Sequence, residues 1–413
     1  MSVQPAPEGD CPLAARADHR RAERAFRAER ERLAAGHGIP EALAYSPEAT
    51  RQWVSDELTA AAHTVADRAR AAGPAWLRLR ARRTTLVLWS AVFALLLGQA
   101  LTAMGSGWTL PRTAALLAAV LLAAPLTAVA WLHRDRGGVL APLIGPDNRV
   151  STSRTVAAGW LLLAAYAVLT LALTLAGTDD PARRAELRAG LDLPHGGGLL
   201  TVVALGCAVA LWTGHAVAHR VRHFRAQKVR ALRPRALDPL TDDSGGISFT
   251  AAQYVLVNTA ALVFAAVQLT RDPYQLPSPP WALAALVAIS ALGYAAAKLT
   301  EGGRPVIQSV VRVREPGAPH SPIRYGDELE IRGSGFVPPG AEAADLLAGT
   351  TVRIGDVLVP VPLVPVPGGG FANPSDTVLR LPVPAELDPG PVDIQVITAA
   401  GTESGRYPIT VAD

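Results

Sequence analysis

Residues 84–110 read TTLVLWSAVFALLLGQALTAMGSGWTL and contain no Asp, Glu, Lys or Arg. About 20 residues of α-helix cross a hydrocarbon core of ~30 Å, and a helix satisfies its own backbone polar groups where no water can. The stretch is therefore expected to span a membrane. Five more uncharged segments follow, at residues 113–132, 155–177, 199–218, 251–270 and 281–297. Pro125 lies inside the second and is expected to kink it. The pattern predicts an α-helical polytopic membrane protein with six transmembrane helices across residues 84–299.

Composition points the same way. Half of the 413 residues are apolar and only 18% are charged. Aromatic residues are scarce, so the apolar character comes from Ala, Leu and Val. The net charge of +4 is too small to suggest a nucleic-acid partner, and none is expected. Cys11 lies in a polar tail and Cys207 in an apolar run, which argues against a disulfide framework. The first long apolar run begins only after Arg83, so no secretory signal is expected.

Arginines flanking the segments predict orientation. Arg78, Arg80, Arg82 and Arg83 precede the first; Arg134, Arg136, Arg149 and Arg154 separate the second from the third. Arg220, Arg222, Arg225, Lys228, Arg230, Arg233 and Arg235 separate the fourth from the fifth, and Lys298 and Arg304 follow the sixth. Arg112 and Arg271 stand alone in two of the alternate connections. The remaining connection departs from the pattern: Arg183, Arg184 and Arg188 mingle with Asp179, Asp180, Glu186 and Asp192, and the stretch reads as a short capped helix ending at Gly190. The other connections expect a plasma-membrane protein with both termini in the cytoplasm. Trp108 and Trp281 at the outer ends, and Trp131 and Trp212 at the inner ends, suit an interfacial belt.

Residues 1–83 are polar and helix-prone, and are expected to form a cytoplasmic helical region. Residues 16–35 are dense in Ala, Arg and Glu, and a break follows at Gly36-His37-Gly38-Ile39-Pro40. Ser46-Pro47-Glu48 reads as a helix start, with Ser as N-cap, Pro in the first turn and an acid near the positive dipole end. That helix would turn Trp53, Val54, Leu58 and Val65 to one side. Two readings stand: a hairpin resting on the membrane or on its own neighbours, or a docking helix for a partner.

After Gly302-Gly303-Arg304-Pro305 the sequence changes character. Short β-branched runs at residues 306–313, 328–333, 351–354, 377–381, 392–398 and 407–411 are divided by Gly, Pro and Asp. Such spacing predicts an all-β sandwich over residues 305–413. Pro305-Val306-Ile307 opens the region, Gly326 precedes a strand that ends Leu329-Glu330-Ile331-Arg332-Gly333-Ser334-Gly335-Phe336, and Val352-Arg353-Ile354-Gly355-Asp356 follows. Val392-Asp393-Ile394-Gln395-Val396, Gly401 and residues 407–411 close it. In this order and spacing the region resembles an IPT/TIG domain, an immunoglobulin-like module. The resemblance implies a binding or spacing role. Gly333 and Gly335 are expected in turn conformations, with Phe336 plugging the core. The long connections 337–349 and 360–374 are the expected binding loops.

Several chemistries lack their residues. Neither lysine follows a glycine, no His is followed by Glu, and no Gly-x-Ser-x-Gly elbow occurs. No Asp, Glu, Lys or Arg lies within the six spans, where ion-coupled transporters usually keep an ionisable residue. Gln99, Thr102, Ser90, Asn258, Gln268 and Ser290 are expected to knit helices together. No enzymatic activity and no cofactor are expected. Two weaker candidates remain. His215, His219 and His223, at i, i+4 and i+8, would share a helix face as metal ligands or as interfacial polar residues. Arg220, Arg222, Arg225, Lys228, Arg230, Arg233 and Arg235 would attract anionic lipid, serve as the orientation signal, or do both.

The leading functional expectation is a membrane-anchored binding or scaffold protein. Its partners would be membrane lipids and a protein held by the IPT/TIG-like domain or by the N-terminal helices. Because such modules also occur in phage-tail-like assemblies, docking such a particle is one version. The alternative is an uncoupled channel or transporter subunit with a regulatory IPT/TIG-like domain.

Overall fold

A computed structural model describes residues 12–43, 45–313 and 323–412. Cys11 lies outside the described residues. The chain divides into two compact units. The first gathers the described parts of Met1–Gly73, Ala218–Leu232 and Glu301–Asp413; the second comprises Pro74–Val217 and Arg233–Thr300.

The second unit is a helix bundle. It holds the later part of α2 (Pro47–Ser106), together with α3 (Leu110–Leu132), α4 (Thr152–Ala176), α5 (Pro181–Gly190), most of α6 (Leu193–Arg222), α7 (Phe249–Arg271) and α8 (Trp281–Thr300). Six helices, α2, α3, α4, α6, α7 and α8, are long and apolar enough to cross a membrane. The first ends earlier than its sequence suggested. Gly107 adopts a left-handed φ of 76° and breaks the helix, so Leu110 opens α3 instead, with Pro111 in the first turn. Pro125 sits within α3, which continues through it.

Trp160, Leu171, Tyr254, Val287 and Ala291 are among the residues of the bundle core. Asn258, expected to knit helices, accepts a 2.9 Å hydrogen bond from Trp160 Nε1, and Tyr254 stacks on Tyr294 with centroids 4.8 Å apart. The acidic connection forms α5 as its sequence suggested, with the Asp180 side chain capping the Ala182 amide. A Cβ at Gly190 would run into the Tyr274 carbonyl oxygen, and Leu276 N donates to Gly190 O at 3.2 Å. The α4–α6 and α7–α8 connections therefore meet at one end of the bundle.

The first unit contains the C-terminal β-sheet region. Its strands are β1 (Val306–Arg312), β2 (Ile323–Arg324), β3 (Glu328–Ser334), β4 (Thr351–Ile354), β5 (Val357–Pro360), β6 (Val364–Pro365), β7 (Phe371–Asn373), β8 (Val378–Pro382), β9 (Gly390–Ile397) and β10 (Tyr407–Ala412). They form a three-stranded sheet ordered β1-β3-β8, a five-stranded sheet ordered β2-β10-β9-β4-β5, and a β6-β7 pair. Each of the six strand runs read from the sequence has its strand, displaced by at most two residues at an end. The short β2, β5, β6 and β7 and the one-turn α9 (Ala344–Leu347) were not anticipated.

Leu329, Ile331, Leu379 and Leu381 of the three-stranded sheet share one core with Val352, Ile354, Ile394, Val396 and Val411 of the five-stranded sheet. Phe336 belongs to that core and is fully buried. The two neighbouring glycines serve different ends. Gly335 is a turn residue with φ 76°. Gly333 instead lies within β3, where a side chain would collide with the Val306 carbonyl oxygen of the paired strand. Its requirement is close approach, not a turn.

The N-terminal helices belong to this unit. Ser46 Oγ accepts from Ala49 N at 3.4 Å where α2 begins, and α1 (Pro12–Ala34) ends before Gly36, whose φ is 77°. Leu33, Val54 and Leu58 form a hydrophobic cluster with Leu347 and Leu363 of the β region, flanked by Phe26, Trp53, Val337 and Phe371. Leu363 N donates to Ser55 Oγ at 2.9 Å, and Arg51 pairs with Glu328.

Candidate functional site

One turn occurs twice in the bundle. Leu140-Ala141-Pro142-Leu143 precedes α4 as Leu237-Asp238-Pro239-Leu240 precedes α7, and Ser151 and Ser248, 97 residues apart, occupy the N-cap positions. The backbones match bond for bond. Gly145 N donates to Arg149 O at 2.8 Å and Asp242 N to Gly246 O at 2.9 Å. Ser151 N donates to Leu143 O at 2.8 Å and Ser248 N to Leu240 O at 2.9 Å. Asn148 and Gly245, also 97 apart, take the left-handed conformation, with φ of 58° and 90°. Even the side-chain link recurs: Ser151 to Ser153 is 3.3 Å and Ser248 to Thr250 is 3.1 Å.

The two turns lie against each other. Arg149 Nη1 donates to Asp242 O at 2.9 Å, Val150 N to Asp238 Oδ2 at 3.0 Å, and Thr152 Oγ1 to Pro239 O at 3.0 Å. The buried Asp238 carboxylate also accepts from Arg235 N at 2.7 Å. Asp242 Oδ1 is occupied by Ser244 N, Ser244 Oγ and Gly246 N. These carboxylates hold backbone amides, which is a structural task. The sequence signal was present as Leu-x-Pro-Leu followed by a capping serine, but few residues are shared and the reading above missed it.

The structure does not gather the three histidines into one group. His219 and His223 stack with centroids 4.1 Å apart, His223 Nδ1 lies 2.9 Å from His219 O, and α6 ends at Arg222, before the third imidazole. Among the described residues, no group of three His, Cys, Asp or Glu is placed to hold a metal ion.

Within the basic stretch the polar Gln227 side chain is buried. Gln227 Nε2 donates to Gly303 O at 3.0 Å and to Gly335 O at 2.9 Å, and Thr398 Oγ1 donates to Gln227 Oε1 at 2.8 Å. Gln227 thereby fastens the segment to the base of the β region. Around it Arg222, Arg225 and Arg230 are exposed, while Arg220 and Lys228 are half-buried. Arg233 and Arg235, exposed in the bundle unit, lie near Trp76, with the Arg233 guanidinium 4.6 Å from the indole.

Part of the expected binding-loop surface is already covered. Val337, Leu347 and Ala348 from the first long connection, and Leu363 and Phe371 from the second, meet α1 and α2 in the cluster around Leu58. A small cleft of about 270 Å³ remains beside Arg51, Gln52, Glu328 and Pro382. On the three-stranded sheet Glu330 is buried between Arg332 and Arg380, at 2.6 and 2.7 Å, and hydrogen bonding from Arg332 holds its carboxyl below the usual glutamate range. A larger cleft of about 1080 Å³ lies in the bundle among Leu95, Ala115, Leu163 and Ala266, with Gln99, Arg112 and Tyr274 among its polar lining.

No protein-family model matches the chain, and no curated protein is detectably similar to it. The IPT/TIG resemblance thus rests on the residues quoted for it.

Proposed function

We propose that this chain is a multi-pass membrane protein that anchors a binding or scaffold module at the cytoplasmic face of the plasma membrane. The module consists of an IPT/TIG-like β-sandwich braced by the N-terminal helices. One observation carries the reading: Leu33, Val54 and Leu58 share a core with Leu347 and Leu363. Segments before and after the six apolar helices can pack together only from one side of a membrane. That agrees with an even number of crossings, without any appeal to arginine counts. The turns before α4 and α7 meet at one end of the bundle, as alternate crossings require. The arginine-rich connections support the cytoplasm as that side. Trp108, Trp131, Trp212 and Trp281 are exposed on the bundle, as an interfacial belt requires.

The partner is a cytosolic protein or assembly, of which a phage-tail-like particle is one version. The alternative, an uncoupled channel or transporter subunit, draws on the 1080 Å³ cleft, but much of that cleft's lining is apolar. The reporter is Thr377→Cys in the full chain with Cys11 and Cys207 replaced by Ser. Thr377 is exposed, unlike Ser375, whose hydroxyl is bonded to Val378. A membrane-impermeant thiol reagent should modify it only after lysis, and a permeant thiol crosslinker should join it to a discrete cytosolic protein. Modification in intact cells overturns the orientation. Absence of any adduct, together with solute flux through liposomes containing the protein, overturns the scaffold reading.

A further inference from the structure

We infer that two copies of this chain associate through their duplicated turns, with Ile247 and Phe249 of each copy seated on Ala141 and Pro142 of the other. The argument starts from the contact already made within one chain. Each turn has two faces. One comprises residues 149–152 in the first turn and their counterparts 246–249 in the second. The other comprises residues 141–145 in the first and 238–242 in the second. Within the chain, the first turn's Arg149, Val150 and Thr152 dock on the second turn's Asp242, Asp238 and Pro239.

A reciprocal pairing would also dock Ile247 and Phe249 on Ala141 and Pro142. It does not occur. Val150 and Thr152 are 7% and 4% exposed, whereas their counterparts Ile247 and Phe249 are 84% and 80% exposed. The pairing is therefore head-to-tail, and it leaves one face of each kind unused. A head-to-tail contact propagates until a rotation closes it into a ring. Two copies supply four turns, and the two unused contacts complete the circle with two-fold symmetry.

The chemistry of the unused faces has changed together. Where the used face has Arg149 and Thr152, the unused one has Gly246 and Phe249. Where the used receiving face has Asp238 and Asp242, the unused one has Ala141 and Gly145. At these four positions the charged and hydroxyl groups have gone, and a charged group that remains beside the receiving face is Arg154, whose Nη1 donates to Pro142 O and Ile144 O at 3.3 Å. Pro142 is exposed and Ala141 is partly so, which leaves the receiving surface accessible.

The test uses full-length protein in native membranes, with Cys11 and Cys207 replaced by Ser. One version carries Pro142→Cys and the other Phe249→Cys, each with its own tag, and a short thiol crosslinker is applied. The expected product has twice the chain mass and carries both tags; it forms when the two versions are co-expressed and in neither version alone. Crosslinking of Phe249→Cys to itself would indicate a reciprocal face and overturn the head-to-tail geometry. If no product forms, lipid covers the face and the proposal fails. Ala141→Cys replaces Pro142→Cys if loss of the proline prevents accumulation. A chain carrying both cysteines should stop at the dimer, and a ladder of higher products would overturn closure.

Discussion

The bundle core and the core between the two β-sheets are built from different residues. Among the described residues, the cluster between the two sheets is built from Val, Ile, Leu and Phe. The bundle core includes Ala167, Ala251, Ala261, Ala265, Ala284 and Ala291, and it places Trp160 and Tyr254 beside the polar Asn258. In water, removing large aliphatic groups from solvent drives folding, at ~25 cal/mol per Å² of apolar area. Between helices in lipid that drive is absent, because lipid tails are as apolar as leucine; small residues permit close approach and hydrogen bonds add specificity. The contrast shows that apolar content alone does not reveal what holds an element in place.

The largest expected effect lies in the β region. Phe336→Ala should cost about 3–5 kcal/mol there, because a fully buried aromatic leaves a cavity behind. Hydrogen exchange on the full chain should show lost protection in β3 and β8 with α4 and α7 unchanged. Equal loss in the helices would show that the two cores do not act independently. A smaller effect is expected in the bundle. Asn258→Leu removes the acceptor of the Trp160 indole and should cost about 0.6–2 kcal/mol in detergent unfolding, the usual range for such bonds between helices. A loss matching that of Phe336→Ala would break the contrast.

The smallest concerns Glu330. Its carboxyl is held low by Arg332 and Arg380, so the folded form favours the charged state more than the unfolded chain does. The stabilisation is present above the unfolded glutamate pKa and is lost as pH falls through the lowered folded value. Unfolding of the β region followed against pH should show this acid-side loss, and Glu330→Gln should flatten it. An unchanged profile would mean that the paired arginines contribute nothing measurable.

The sequence disclosed the elements better than their partners. The six apolar helices are legible because charge is absent for a membrane's width, and Gly107 adjusts only where the first one stops. The six strand runs are legible because Gly, Pro and Asp punctuate them. Trp53, Val54 and Leu58 announced an apolar side, but an apolar stripe says only that something covers it. Nothing local to α2 points to Leu363. The basic run was read for its charge, while the uncharged side chain of Gln227 makes three of the hydrogen bonds that hold it. Gly333 looked like a turn residue because the requirement comes from Val306 on another strand. The duplicated turn escaped notice because its two copies agree in backbone far more than in side chains.

The bond between Ser55 and Leu363 joins residues 308 positions apart in the chain. At synthesis rates of roughly 5–20 residues per second, α1 and the start of α2 leave the ribosome about 15–60 s before their covering strands exist. During that interval Leu33, Val54 and Leu58 have no β region to bury them. These two helices are thus among the last elements to reach their final packing although they are made before the bundle, and the nascent chain must be kept from aggregating through that apolar stripe while the intervening helices are being made.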